Sequence, residues 1–334
     1  LKHISSFSDY MIDGIDSRPE LPEMGVEIEK ILIGGLGGSA IAGDILRDWV
    51  YDRIGQPVEV WRHSRLPSYA GSGTLFVGIS YSGETAEALE MVAQARRNGC
   101  VTCVITSGGR MAALARREGL SLLGVPTGLP PRASLPYLLA VLVHLIERVV
   151  LVKGALTELR AAAEEARRFA QPIAAEVQTG KNPAKQLATR LAGKQLFVYA
   201  PARLASVARR LKSQVNENSK ASCKFELFPE LCHNELEGWF SPTATHPFSA
   251  IIILRDNEED EAERRTISEA KRVLQESGMN DIHEIQVDAS TRIGRILSGV
   301  LFCDYLSFYM AMLKGLDPTP VPNIEKFRKR AYVG

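Results

Sequence analysis

Short runs of aliphatic and β-branched side chains alternate along this chain with longer stretches at helical spacing, and the alternation occurs twice. A chain so patterned buries its apolar runs as a parallel sheet whose crossover helices cover both faces. In the first half, strands are expected over residues 31–33, 58–61, 75–79, 101–105 and 120–125, with helices over 40–49, 85–97 and 111–117 between them. The apolar stretch 135–152 is too long for a strand, and His144, Glu147 and Arg148 interrupt it, so it reads as a buried helix closing a first domain.

From residue 154 to 193 the texture changes to Ala, Glu, Arg and Lys at helical spacing, broken by Pro172 and Pro183. The second half then repeats the first in outline. Strands are expected over 195–199, 224–227, 250–254 and 283–287, with helices over 203–215, 259–277 and 293–313. The expected organisation is a first domain over 1–152, a helical connection over 153–193 and a second domain over 194–334. The expected fold class is α/β: two subdomains, each a mostly parallel five-stranded sheet flanked by helices.

Charge narrows the function. With 40 Lys and Arg against 39 Asp and Glu in 334 residues, the chain carries a formal charge of +1. That gives no global drive toward nucleic acid or an anionic membrane, and a small molecule is the expected partner. Five cysteines, an odd number in a chain that needs no staples, point to a reducing compartment. Cys100 and Cys103 form a CxxC inside an apolar run with no second pair and no nearby histidine, which reads as buried strand rather than metal or redox site. No segment approaches 18 uninterrupted apolar residues, the start has no signal-like core, and a cytoplasmic location is expected. The chain begins with Leu, so an initiator or short leader is expected ahead of it.

Two glycine- or hydroxyl-rich turns follow strands in the first half. Gly34-Gly35-Leu36-Gly37-Gly38-Ser39 runs from a strand into a helix, where backbone amides can approach an anion. As a dinucleotide fingerprint it is weak, with Ala40 at the third glycine position and no acid convincingly placed at a second strand tip. Ser80-Tyr81-Ser82-Gly83-Glu84-Thr85 is sharper: three hydroxyls around a glycine at a helix N-terminus form a phosphomonoester cradle. No P-loop lysine follows, which argues against a nucleoside triphosphate. By itself the loop has a second reading, as a Ser/Thr-rich helix cap.

In the second half, polar residues crowd at 214–220, around Glu217, where an apolar helical pattern stops. Glu217 alone reads as a solvated helix end. His233 follows in a turn, a single histidine of the type suited to proton exchange at neutral pH. Lys314 ends the last apolar helix, seven residues after Ser307, so both are expected on one face.

Taken together, Gly37-Gly38-Ser39, Ser80 to Thr85, Pro131-Arg132, Asn216 to Lys220, His233-Asn234-Glu235 and Lys314 to Pro320 resemble the bifunctional phosphoglucose/phosphomannose isomerases of archaea and some bacteria. Those enzymes belong to the sugar isomerase (SIS) domain superfamily, and the resemblance covers essentially the whole chain. It implies two SIS-type subdomains. It implies that Ser80, Ser82 and Thr85 hold the substrate phosphate, with Gly38 and Ser39 lining the pocket. It makes Glu217 the base that shuttles a proton between C2 and C1, Arg132 the stabiliser of the enediolate, and His233 and Lys314 the groups that open the sugar ring. The histidine comes from a second subunit in this family, which implies a homodimer with His233 donated across the interface. Ser307 takes the place of the small hydroxyl residue associated with accepting mannose 6-phosphate.

The residue types suit that chemistry. Aldose–ketose isomerisation moves a proton from beside a carbonyl to the next carbon, which one carboxylate can do through a cis-enediol with no metal and no cofactor. An always-protonated arginine balances the charge on the enediolate oxygen. The six histidines, at 3, 63, 144, 233, 246 and 283, lack ligand-like spacing, unlike a metal-dependent phosphomannose isomerase. Three readings compete: a non-catalytic SIS sensor of sugar phosphates, a phosphoglucose isomerase with little mannose activity, and an amidotransferring SIS enzyme. The sensor would need only the phosphate loop, and the amidotransferase an N-terminal glutaminase domain.

Overall fold

The computed structural model describes residues 1–22, 25–150, 152–240 and 246–332. The chain divides into two compact units, one of residues 2–163 together with Glu325 onward, the other of Glu164–Ile324 with Leu1. The stretch 153–193 is thus shared between the two units, and Glu325 onward, placed in the second domain by the sequence, groups with the first. Leu151 of the 135–152 run, and residues 333 and 334 of the expected second domain, lie outside the described residues.

The first unit opens with α1 (Lys2–Ser5) and α2 (Phe7–Asp16), followed by β1 (Lys30–Gly34), α3 (Gly38–Val50), β2 (Val58–Trp61), β3 (Thr74–Ile79), α4 (Ala86–Arg97), β4 (Val101–Thr106), α5 (Gly109–Glu118), β5 (Ser121–Gly124), α6 (Leu135–Val150) and the start of α7 (Ala155–Ala170). Its five strands are all parallel, in the order β2-β1-β3-β4-β5. β3 is buried along its whole length, as a central strand covered on both faces must be. Ala88, Met91 and Val92 of α4 and Met111 and Ala115 of α5 pack on Leu32, Phe76 and Val104. Phe7, Met11 and Ile15, spaced four apart, form the buried face of α2, which packs on α6.

The second unit contains α8 (Pro183–Arg190), β6 (Gln195–Pro201), α9 (Ala205–Asn218), β7 (Cys223–Phe228), α10 (Glu235–Gly238), β8 (Ser249–Arg255), α11 (Glu261–Glu276), β9 (Ile282–Gln286), α12 (Arg292–Leu313) and the start of α13 (Pro322–Tyr332). Its sheet is again parallel, but has four strands among the described residues, in the order β7-β6-β8-β9. The expected count of five is therefore corrected. β9 ends at Gln286 and α12 begins at Arg292, and a crossover to a further parallel strand needs about a dozen residues. The counterpart of α5 and β5 has no room to form.

The expectation that no segment has 18 uninterrupted apolar residues holds, but average hydropathy singles out one helix among the described residues. α12 is long and apolar enough to cross a bilayer, and 83% of the qualifying stretch is buried inside the protein. Arg295 and Asp304 break its apolar run without lowering the average much, so counting uninterrupted residues passes over it. Of the CxxC, Cys103 lies buried in β4 as expected, whereas Cys100 is half-buried just ahead of the strand; burial pushes the Cys103 thiol up to about 12 and raises that of Cys100, the reverse of a reactive thiolate.

Candidate active site

In the first sheet, β1 leads by α3 to β2 on one side, and β3 leads by α4 to β4 on the other. The strand order thus reverses between β1 and β3, and ligands of open α/β sheets bind at the carboxyl ends of such strands. Both turns singled out in the sequence emerge there. A β-carbon added at Gly38 would lie 3.4 Å from the Cα of Arg132, so the first turn rests against the 3-10 turn Pro131–Ala133. Ser39 Oγ accepts a hydrogen bond from the backbone N–H of Tyr81 at 3.2 Å, joining the two turns. Gly38, Ser39, Arg132 and the 80–85 loop are therefore held at one edge.

The loop is internally ordered. Ser80 is buried, donates to Thr85 Oγ1 at 3.1 Å and accepts from the N–H of Gly83 at 3.2 Å. Exposed Ser82 accepts from the N–H of Glu84 at 3.3 Å. Thr85 is the N-cap of α4 but makes no side-chain capping bond, so the first-turn amides of α4 are not occupied by its hydroxyl. Gly83 is at φ +69°, and a β-carbon there would stand 1.9 Å from the carbonyl oxygen of Gly108. No other residue fits that position.

Residues the sequence reading passed over build this loop from behind. Ser107 Oγ donates to the carbonyl of Tyr81 at 2.7 Å. The Tyr81 hydroxyl donates to Pro126 O at 3.0 Å and accepts from the N–H of Leu129 at 2.8 Å. Arg110 pairs with Glu84 at 2.8 Å and donates to its carbonyl at 3.1 Å. The only sequence signal for them is that they follow strands at the same edge.

The corresponding reversal in the second sheet lies between β6 and β8, and it holds no hydroxyl loop. Arg203, after β6, grips Asp256, after β8, with Nε 3.1 and 3.0 Å from the two carboxylate oxygens, and reaches Glu263 at 2.6 Å. Arg295 and Arg292 bind Glu258 beside it. The arginines of this crevice are already engaged by carboxylates of the protein.

Glu217, Ser307 and Lys314 lie elsewhere in the second unit. The helix expected to stop at Val215 continues to Asn218, which places Glu217 in the last turn of α9. α9 packs along α12 through a buried polar seam. Arg210 Nε and Nη2 donate to the two Asp304 oxygens at 2.9 and 2.8 Å, and Gln214 Nε2 donates to Asp304 at 2.6 Å. Asn218 Nδ2 donates to Ser307 Oγ at 3.0 Å, and Ser219 Oγ donates to the Ser307 carbonyl at 2.8 Å. Lys314, the C-cap of α12, donates to the Ser219 carbonyl at 3.1 Å. Ser307 is fully buried and its hydroxyl also donates to the Asp304 carbonyl at 3.0 Å, so what it touches is the end of α9 rather than open space. Ser307, buried, and Lys314, exposed, both bond to the end of α9.

His233 is not part of this group. It is exposed in the turn after β7, whereas Glu217 precedes β7. The six residues of β7 carry the chain about 17 Å between them.

Residues 180–330 match the family model described as the bacterial phospho-glucose isomerase C-terminal SIS domain. The C-terminal domain of glucosamine-fructose-6-phosphate aminotransferase from Francisella tularensis superposes with a TM-score of 0.72 at 17% identity, over 95% of this chain and 96% of that one, which shows a shared fold. A D-glucosamine-6-phosphate 4-epimerase of Sulfolobus acidocaldarius is 33% identical over 68% of this chain and 69% of its own length. A bifunctional phosphoglucose/phosphomannose isomerase of Caldicellulosiruptor bescii is 34% identical over 91% of this chain and 90% of its own length. With two parallel α/β units, one hydroxyl loop at a strand reversal and this degree of likeness over nearly its whole length, the chain belongs to the bifunctional phosphoglucose/phosphomannose isomerase family.

Proposed function

We propose that the protein interconverts glucose 6-phosphate and mannose 6-phosphate with fructose 6-phosphate, by proton transfer through a cis-enediol and without a metal or redox cofactor. The observation that carries this reading is the end of α9, where Glu217 stands in the last turn and Lys314 is bonded to the Ser219 carbonyl two residues on. A sensor of sugar phosphates would need the 80–85 loop and has no use for an acid–base pair so placed.

In this reading Ser80, Ser82, Thr85 and the first-turn amides of α4 hold the phosphate, with Gly38 and Ser39 beside them. Binding energy from the phosphate, remote from C1 and C2, positions the reacting carbons. Lys314 and His233 open the hemiacetal, one giving and one taking a proton. Glu217 takes the proton from C2 of the open aldose and returns it to C1 of the ketose. The enediolate oxygen is balanced by Arg132, which keeps its own proton. Glucose and mannose 6-phosphate differ only in configuration at C2, so the same carboxylate must reach the proton on either face.

The placement of His233 at the far end of β7 from Glu217 supports its donation by a second copy in a homodimer. A cytoplasmic location and a part in the central conversion of hexose phosphates accompany the reading. It is tested by incubating fructose 6-phosphate with purified protein in the presence of chelator, and assaying glucose 6-phosphate and mannose 6-phosphate separately. Formation of both, lost in Glu217→Gln, is the expected result. Glucose 6-phosphate alone would narrow the activity, and activity that vanished with chelator and returned with zinc would overturn the mechanism. Glucosamine 6-phosphate belongs in the same assay, because one relative is named for its 4-epimerisation. Turnover of that sugar alone would replace the reading.

A further inference from the structure

The seam between α9 and α12 contains an ion pair that no step of the proposed reaction uses. Arg210 is 2% exposed and Asp304 3%, and they meet through two parallel N–H···O bonds. Buried ion pairs of this kind give little net stability, because desolvation offsets most of their attraction. Their best-attested use is to fix register. What this one fixes can be read from the helix. Arg210, Gln214 and Asn218 recur at intervals of four and form one stripe of α9, all three bonded to Asp304 or Ser307 of α12. Glu217 is seven residues from Arg210 and three from Gln214, so it projects close to the same stripe, one turn beyond the last bond to Asp304. Beyond it, Ser219 is bonded to Ser307 and to Lys314.

We propose that Asp304, held by Arg210 and Gln214, is a positioning residue: it sets the rotation and register of α9 on α12 and so aims Glu217 relative to Lys314. The proposal rests on the reading of Glu217 as the base. An apolar contact between the two helices would leave α9 free to settle in several nearby rotations with similar packing. Directional bonds to one carboxylate select one of them. A displacement of about 1 Å at a reacting group can cost a hundredfold in rate, so small freedom here matters. Asp304 reaches no substrate atom in this scheme and acts only through the helix.

The test compares two double variants of the full chain. Arg210→Met/Asp304→Leu replaces the ion pair by apolar side chains, and Arg210→Gln/Asp304→Asn replaces it by a neutral hydrogen-bonded pair. Tm, kcat and KM for fructose 6-phosphate are measured, with solvent deuterium uptake into product as a direct readout of proton transfer. The expected result for the apolar pair is a folded protein whose KM stays within about threefold while kcat falls about tenfold or more. The neutral pair recovers part of kcat. If the apolar pair does not fold, Asp304→Asn assayed below its own Tm is read by the same split. A folded variant without the ion pair that keeps full kcat, or one whose kcat loss merely follows its loss of folded protein, overturns the proposal. Glu217→Gln run alongside separates the two readings: if it is inactive and the apolar pair fully active, only the positioning role fails. If Glu217→Gln turns over normally, the assignment of the base itself is wrong.

Discussion

Glu217 and His233 stand at opposite ends of the same strand, the one before β7 in the last turn of α9 and the other in the turn that follows it. With about 17 Å of strand between the two ends, the proposed homodimer, in which a second copy brings its own His233 to the first copy's Glu217, can be tested directly. Two dead variants then complement each other. Glu217→Gln and His233→Ala are each expected to be inactive as homodimers, but co-purified as a random mixture they regain about a quarter of wild-type turnover, because half the dimers hold one intact pair. Turnover that stays at zero in mixtures shown to exchange subunits would place Glu217 and His233 of one copy in the same site and overturn the donation across the interface.

Gly83 offers a separate test of the phosphate loop. A side chain there meets both a left-handed backbone, costing about 1–2 kcal/mol for an L-residue, and the carbonyl of Gly108 at 1.9 Å. Gly83→Ala must push the loop off the 106–109 segment that supports it. The expected outcome is a KM for fructose 6-phosphate raised at least about tenfold, with Tm lowered by several degrees. Unchanged KM in the folded variant would detach this loop from substrate binding.

How far the sequence speaks depends on whether the signal is local. Runs such as 75–79 and 101–105 mark their strands to within a residue, because a strand buried on both faces has to be continuously apolar. The 80–85 loop is legible for the same reason: strand end, hydroxyls and helix start are consecutive. α2 carries its own signal in Phe7, Met11 and Ile15, but that spacing acquires a meaning only when α6 is there to receive it. The seam was not legible at all. Arg210 and Asp304 are 94 residues apart, each looks like an ordinary surface charge, and only the packing of α9 on α12 makes them a buried pair. The same packing extends α9 past Val215, since Asn218 finds Ser307 where the local pattern reads as a polar helix end.

The crevice of the second sheet yields a pH prediction with a definite sign. The Glu258 carboxyl is held below the ordinary glutamate range, chiefly by the hydrogen bond from Arg292 and then by the charges of Arg295 and Arg292, against an opposing effect of burial. A folded-state value below the unfolded one means that Glu258 contributes stability above the unfolded value, near pH 4.3, and loses it as pH falls through the lower folded value. Glu258→Gln should therefore have a lower Tm than wild type at pH 6–7, and the gap should close as both are acidified below about pH 4. A gap that is constant from pH 7 to 3 would assign the loss to geometry rather than charge.

Arg132 separates binding from catalysis most sharply. Its turn abuts Gly38, and its guanidinium is given the one task of balancing charge that exists on oxygen only once the C2 proton has left. A group with that task is nearly idle in the ground state, so Arg132→Ala should leave KM within a few-fold and lower kcat by about a hundredfold to a thousandfold. Arg132→Lys keeps a charge but not the planar fork, and should recover only part of the loss. The reverse pattern, a raised KM with kcat preserved, would make Arg132 a second phosphate ligand and leave the enediolate to another cation. The split between kcat and KM, with deuterium uptake into recovered substrate confirming whether the C2 proton still exchanges, decides between the two roles.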